Sequence, residues 1–188
     1  MRVIEYSDEL HIEQGTAIAI GKFDGVHIGH RRLIDYILRQ RANGLSATVF
    51  TFNPSPEELF TGVKPRELCT RDEKIEILDR LGIDIMVEYP LTFETAAIEP
   101  EAFVRDVLVK RLNMKYFAAG NDLSFGAGGR GNVQIIDELS NIYNYSYDII
   151  NKVCVDDIPV SSTRIRDAFE QGHVEEAFLL LEGKRRVL

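Results

Sequence analysis

The chain has 188 residues, of which 22 are Lys or Arg and 30 are Asp or Glu, for a formal net charge of −8. With 45% hydrophobic and 28% charged residues, it has the composition of a single soluble globular domain, which excludes a disordered tract and a coiled coil. The acidic balance excludes a non-specific nucleic-acid binder, whose affinity comes largely from cations on phosphate, so an anionic ligand must be met by locally placed positive groups.

The apolar runs are too short to span a bilayer. The opening MRVIEYSDELH lacks the apolar core of a secretory signal. Cys69 and Cys154 are the two cysteines, too few for a disulfide framework, so the expected setting is the reducing cytoplasm.

In chain order, residues 2–6 and 16–21 read as strands, the second (TAIAIG) as one buried on both faces. Residues 31–41 read as a helix, with Leu33, Ile34, Ile37 and Leu38 on one face and Asn43-Gly44 as its stop. Residues 47–52 are β-branched and aromatic and form a strand, after which Pro54 and Pro56 fix an extended loop. Thr70 and Glu73 spell a capping box that opens a helix with Ile75, Leu78 and Leu81 inward.

Residues 83–89 form a strand. Pro100 takes the first position of a helix running through Phe103, Val104, Val107 and Leu108. Residues 116–120 are a strand, 133–142 a helix and 146–150 extended. Ser161-Ser162 caps a helix from about residue 163 that Gly172 ends, and a last helix covers 174–181. Such alternation predicts a mainly parallel sheet with helices on both faces and ligands beyond the carboxyl ends of the strands.

Two strand-to-helix junctions carry the chemistry. The first is Gly21-Lys22-Phe23-Asp24-Gly25-Val26-His27-Ile28-Gly29-His30. Its glycines permit a tight turn and a close ligand approach. His27 and His30, three apart, share a face at a helix start, where free N–H groups and the helix dipole favour an anion. Lys22, Arg31 and Arg32 add positive charge nearby, and no third metal ligand accompanies the histidines.

The second is Val160-Ser161-Ser162-Thr163-Arg164-Ile165-Arg166, where hydroxyls and orphan N–H groups form another anion site and Arg166 reaches back from one turn inside. Two anion sites at two junctions of one sheet suit a triphosphate. Gly126-Ala127-Gly128-Gly129-Arg130-Gly131 matches G-x-G-x-x-G, but residues 121–125 separate it from the strand, so it reads as a mobile loop and not as a dinucleotide-binding turn. Phe52, Phe60 and Phe125 could frame a planar ligand, although aromatics are more often core.

These motifs resemble the nucleotidylyltransferase superfamily, with its His-x-Gly-His and Ser-Ser-Thr-x-x-Arg signatures. More narrowly they resemble the FMN adenylyltransferase (FAD synthetase) module of bacterial riboflavin-biosynthesis enzymes. The resemblance spans nearly the whole chain and implies an α/β, Rossmann-like nucleotidylyltransferase fold in a single domain over residues 1–188. It also implies the reaction of ATP with FMN to give FAD and pyrophosphate.

By the same resemblance His27, His30, Ser162, Thr163 and Arg166 are catalytic. Gly21, Phe23, Asp24, Gly25, Gly29 and Ser161 bind ATP, and Asn53, Pro54, Pro56, Asp122 and Phe125 border the flavin. ATP and FMN are the substrates, with Mg²⁺ carried on the ATP phosphates and no protein metal cage. The implied partners are these small molecules, without nucleic acid or membrane.

The chain departs from the family pattern at Pro54-Ser55-Pro56, where the family has Pro-His-Pro, and at Gly120-Asn121-Asp122-Leu123-Ser124-Phe125-Gly126, which lacks one of the family's aromatics. It closes on Glu182-Gly183-Lys184-Arg185-Arg186 and Leu188, with no expected riboflavin kinase domain. The alternatives are a nucleotidylyltransferase with another phosphorylated acceptor and a non-catalytic flavin- or nucleotide-binding paralogue.

Overall fold

The structure is a computed structural model that describes residues 1–183; Lys184, Arg185 and Arg186 of the basic terminal stretch lie outside the described residues. β1 (Arg2–Glu5) is an edge strand, and β2 (Thr16–Ile20) leads through the first junction into α1 (Ile28–Arg39). β3 (Ser46–Asn53), α2 (Pro56–Thr61), α3 (Arg71–Arg80) and β4 (Ile85–Pro90) follow. α4 (Phe93–Ala96) and α5 (Pro100–Ala102) come next, and α5 continues as a π-helical stretch, Phe103–Arg111, into β5 (Met114–Gly120). α6 (Val133–Tyr143), β6 (Ser146–Ile150), the hairpin β7 (Cys154–Val155) and β8 (Ile158–Pro159), α7 (Ser162–Glu170) and α8 (Val174–Glu182) complete the fold.

The main sheet has the order β1-β4-β3-β2-β5-β6, and every pairing in it is parallel. From β2 the chain winds outward through β3 to β4, then crosses back so that β5 lies on the other side of β2. The switch of direction between β2 and β5 leaves a crevice at their carboxyl ends, where open α/β sheets bind ligands.

β2 is buried on both faces because its side chains alternate between two cores. Ala17 and Ala19 join Ile34 and Ile37 of α1 and Leu78 of α3 on one face. Ile18 and Ile20 join Phe103, Val104, Val107 and Leu108 of the π-helical stretch and Ile136 of α6 on the other. The small alanines let α1 sit close to the sheet and so place its N-terminus over the end of β2. A third cluster, Val160, Ile165, Ala168, Ala177 and Leu180, packs α7 against α8.

Three local expectations change. α1 begins at Ile28, not at residue 31, because His27 acts as its N-cap: the His30 backbone N–H donates to His27 Nδ1 at 3.3 Å. The stretch after Pro54 is not wholly an extended loop. Ser55 caps α2 by accepting from the Glu58 backbone N–H at 3.2 Å, and Pro56 occupies a first-turn position where its missing N–H costs nothing. The glycine-rich loop is fastened, because Phe125 and Gly131 exchange backbone hydrogen bonds of 3.1 and 2.8 Å and Arg130 pairs with Glu99 at 2.6 Å. Among the described residues no helix is long and apolar enough to cross a membrane.

Candidate active site

The loop from Gly21 to His27 and the start of α7 meet at Asp24. The Ser162 hydroxyl donates to the Asp24 carbonyl at 3.1 Å, and Arg166 Nη1 donates to Asp24 Oδ2 at 2.9 Å. Asp24 Oδ1 also accepts from the Leu68 backbone N–H at 2.7 Å, tying in the segment before α3. Residues 138 and 142 positions apart in the sequence are thereby held within hydrogen-bond distance.

Two adjoining clefts open at the carboxyl ends of the strands and share Lys22, Phe52 and Ser162. One, of about 510 Å³, sits at the β2–β5 crevice and is lined by Gly21, His27, Gly29, His30, Asp122 and Ser161 together with Pro56. The other, of about 530 Å³, is lined by Thr163, Arg166, Asp24 and Asn53 together with Lys64, Arg71 and Lys74. Both volumes fall in the range of small-molecule sites.

His27 and His30 stack with ring centroids 3.7 Å apart and 18° between planes. Burial pushes the His27 pKa down to about 4. Burial, then His27, then Lys74 hold His30 well below the usual histidine range. Both rings are therefore neutral at pH 7. His27 Nδ1 is an acceptor, so its ring proton sits on Nε2, leaving that nitrogen as a donor. His30 Nδ1 is buried without a hydrogen-bond partner. A Cβ at Gly29 would press on the His27 ring at 3.0 Å, so glycine leaves that ring undisturbed, and Gly25, at φ +74°, turns the loop against Leu68 and Leu181.

Several expected roles change with the geometry. Phe23 is fully buried and packs on His30 at 5.0 Å, so its side chain supports the site without lining either cleft. Gly25 and Pro54 also line neither, and Ser161 spends its hydroxyl capping α7 by accepting from the Arg164 N–H at 3.2 Å. Phe125 is a core residue, 6% exposed and packed on Phe103 at 5.8 Å. Asp122 pairs with Lys152 at 2.8 Å in the same cleft as the histidines. Arg31 donates to the Val26 carbonyl at 3.1 Å and Arg32 lies over the Tyr36 ring at 5.2 Å, so neither lines the two clefts.

Phe60 is 63% exposed and, among the described residues, its ring meets that of Phe93 alone, at 6.1 Å. Phe52 alone of the three aromatics borders both clefts.

Lys64, Arg71, Lys74 and Glu88 were missed by the sequence reading. Arg71 makes a two-pronged contact with the buried Glu88 carboxylate, at 2.9 and 2.5 Å. Lys64 pairs with Glu67 at 3.0 Å, and Lys74 donates to the Lys22 carbonyl at 3.1 Å. The capping box at Thr70 was the available signal: it fixes where α3 begins and hence that Arg71 and Lys74 stand in its first turn, facing the cleft. Among the described residues no three His, Cys, Asp or Glu side chains gather to hold a metal ion.

Comparison with known proteins agrees with this architecture. The chain is 33% identical over 171 residues to the bifunctional riboflavin kinase/FMN adenylyltransferase of Escherichia coli strain K12, covering 90% of this chain and 55% of that protein. It thus spans about half the length of the curated relatives it matches. A solved Streptococcus pneumoniae structure, described as a macrolide-efflux protein, superposes with a TM-score of 0.81 at 26% identity over 96% of this chain and 60% of that one. The pantoate-beta-alanine ligase of Francisella tularensis, at 14% identity and a TM-score of 0.57 over 96% of this chain and 78% of that one, shares the fold. The FAD synthetase family model matches residues 9–164, a span that holds both junctions except for Ile165 and Arg166, and the chain belongs to the FAD synthetase family.

Proposed function

We propose that this chain transfers the adenylyl group of Mg·ATP to FMN, releasing pyrophosphate and forming FAD. The observation that carries this reading is the convergence of His27, His30, Ser162, Thr163 and Arg166 on two adjoining clefts at the strand ends. The name of the Escherichia coli relative, which includes FMN adenylyltransferase, supports it.

The chemistry asks for positioning and charge neutralisation. A phosphate oxygen of FMN attacks the α-phosphorus of ATP, the new P–O bond forms as the α–β bridge breaks, and the electron pair leaves with pyrophosphate. The nucleophile is already anionic, so no general base is required. In this reading the neutral His27 donates from Nε2 to an oxygen on the α-phosphorus, with His30 beside it. Ser162, Thr163 and Arg166 hold the triphosphate tail and the leaving pyrophosphate. Gly21 and Gly29 admit the nucleotide at the β2–β5 crevice, and Asp122 stands beside it. Asn53 and Pro56 border the flavin where the clefts join near Phe52. Mg²⁺ enters with the nucleotide, on its phosphates.

Chromatography after incubation with ATP, Mg²⁺ and a panel of phosphorylated acceptors tests the reading. FMN is expected to be adenylylated in preference to pantetheine phosphate, nicotinamide mononucleotide or a polyol phosphate. Preference for one of the others would replace FMN as acceptor while retaining adenylyl transfer.

A further inference from the structure

Asp24 is a carboxylate in a cleft where Glu57, Glu67 and Glu88 pair with Lys22, Lys64 and Arg71, and it pairs with Arg166 of the second junction. A negative charge there opposes a triphosphate, so its presence needs a positive reason. The geometry supplies one. The Asp24 side chain is 13% exposed and that of Arg166 is 20% exposed. Oδ2 accepts from Arg166 Nη1 at 2.9 Å, while Oδ1 is held by the Leu68 N–H at 2.7 Å. The other arm of the guanidinium, Nη2, donates to the Thr163 hydroxyl at 3.2 Å. One arm is thus fixed from the first junction and the other from the start of α7, which leaves the plane of the guanidinium little freedom.

We infer that Asp24 is a positioning residue that sets Arg166 in the orientation needed to grip the triphosphate, without itself binding ATP. The inference rests on the clefts being an Mg·ATP site. Its logic is entropic: an arginine already oriented loses less freedom when it closes its fork on phosphate. The carboxylate also neutralises Arg166 before ligand arrives, so that a partly buried guanidinium is not left unpaired. Because Oδ1 is anchored by the Leu68 N–H, an asparagine here would keep that bond and turn its amide donor toward Arg166 Nη1. Two donors would then face each other and Arg166 would swing away.

Equilibrium binding of AMP and of an α,β-methylene ATP analogue with Mg²⁺, measured by calorimetry, tests this with no acceptor present. Asp24→Asn is expected to weaken the ATP analogue about tenfold while changing AMP by less than about twofold, the scale of one charge-assisted hydrogen bond. Asp24→Glu retains the charge but displaces the carboxylate; it is expected to weaken the ATP analogue too, and it supplies the measurement should Asp24→Asn not fold. On an Arg166→Ala background, Asp24→Asn is expected to add nothing, because the residue it positions is gone.

Tighter ATP binding in Asp24→Asn, equal losses for AMP and ATP, or an undiminished loss on the Arg166→Ala background would each overturn the positioning role. Wild-type protein that binds neither nucleotide would overturn the reading of the clefts and this role with it. Wild-type binding with unaffected Asp24 variants would overturn the role alone.

Discussion

The His27 imidazole caps the helix that carries His30: its Nδ1 accepts from the His30 backbone N–H at 3.3 Å while the two rings stack 3.7 Å apart. One side chain therefore ends a loop, starts a helix and orients its own remaining N–H. Capping fixes the tautomer, burial keeps the ring uncharged, and the stack holds both imidazoles in the lining of the cleft.

The lowered histidine pKa values set the pH dependence of stability. Both rings are disfavoured as cations when folded, so the unfolded chain binds more protons below the ordinary histidine pKa of 6.5. These groups cost nothing above about pH 6.5 and destabilise the fold as pH falls toward the His27 value of about 4. Each contributes a slope of about 1.4 kcal/mol per pH unit at most. His27→Asn keeps a capping side chain and removes one titrating group, so its Tm should fall less steeply than wild type between pH 6.5 and 4. Parallel curves would show that His27 is not buried neutral.

His30→Ala removes a ring whose Nδ1 has no protein partner, so no internal hydrogen bond to that nitrogen is lost. The expected outcome is a fall in kcat of about 10²–10³-fold, the scale of removing one preorganised donor, with cooperative unfolding retained. Steady-state FAD formation and thermal melts check the two halves separately, and near-normal turnover would remove His30 from the catalytic set.

Ser161 and Ser162 look alike in the sequence but have different work. Ser161→Ala loses the N-cap of α7 and should cost about 1 kcal/mol, or about 2–4 °C in Tm at this chain length, and Ser161→Asp should restore it. Ser162→Ala loses the bond to the Asp24 carbonyl and should affect turnover more than stability. If the two alanine variants shared one profile, the division of roles would be wrong.

Arg71→Ala strands the Glu88 carboxylate, which is 7% exposed, without its counterion. A loss of about 1–3 kcal/mol is expected, toward the lower end because the Arg71 side chain is 49% exposed and screened by water. Adding Glu88→Gln should recover part of it, which a double-mutant cycle by denaturant melts would measure. No recovery would mean that Arg71 acts through packing.

Much of this was legible from residues alone, for identifiable reasons. The run TAIAIG announces a strand with two cores because both alternate sets are apolar. Thr70 and Glu73 announce a helix start because the capping box is a local, reciprocal pair of hydrogen bonds, and both bonds are present. The two junctions were readable because helix starts that bind anions are made of neighbouring residues.

What escaped notice depends on the closed fold. α2 was hidden by Pro54 and Pro56, since a proline in a first turn looks the same in sequence as one in an extended loop. The hairpin of β7 and β8 has two residues per strand, too few to show a period. Phe125 could not be assigned to the core until Phe103 was beside it. Arg71 and Lys74 enter the cleft only where the fold brings Glu88 of β4 and the Lys22 carbonyl within their reach. The Asp24–Arg166 pair, 142 positions apart, has no local signature at all.

The most direct test of the central claim follows the label in two reactions of the wild-type protein with FMN and Mg²⁺, one with ATP labelled at the α-phosphorus and one with ATP labelled at the γ-phosphorus. Adenylyl transfer predicts that label from the α position appears in FAD and label from the γ position appears only in pyrophosphate. Label from the γ position in a flavin product, or no label in FAD from either nucleotide while ATP binding is measurable, would contradict it.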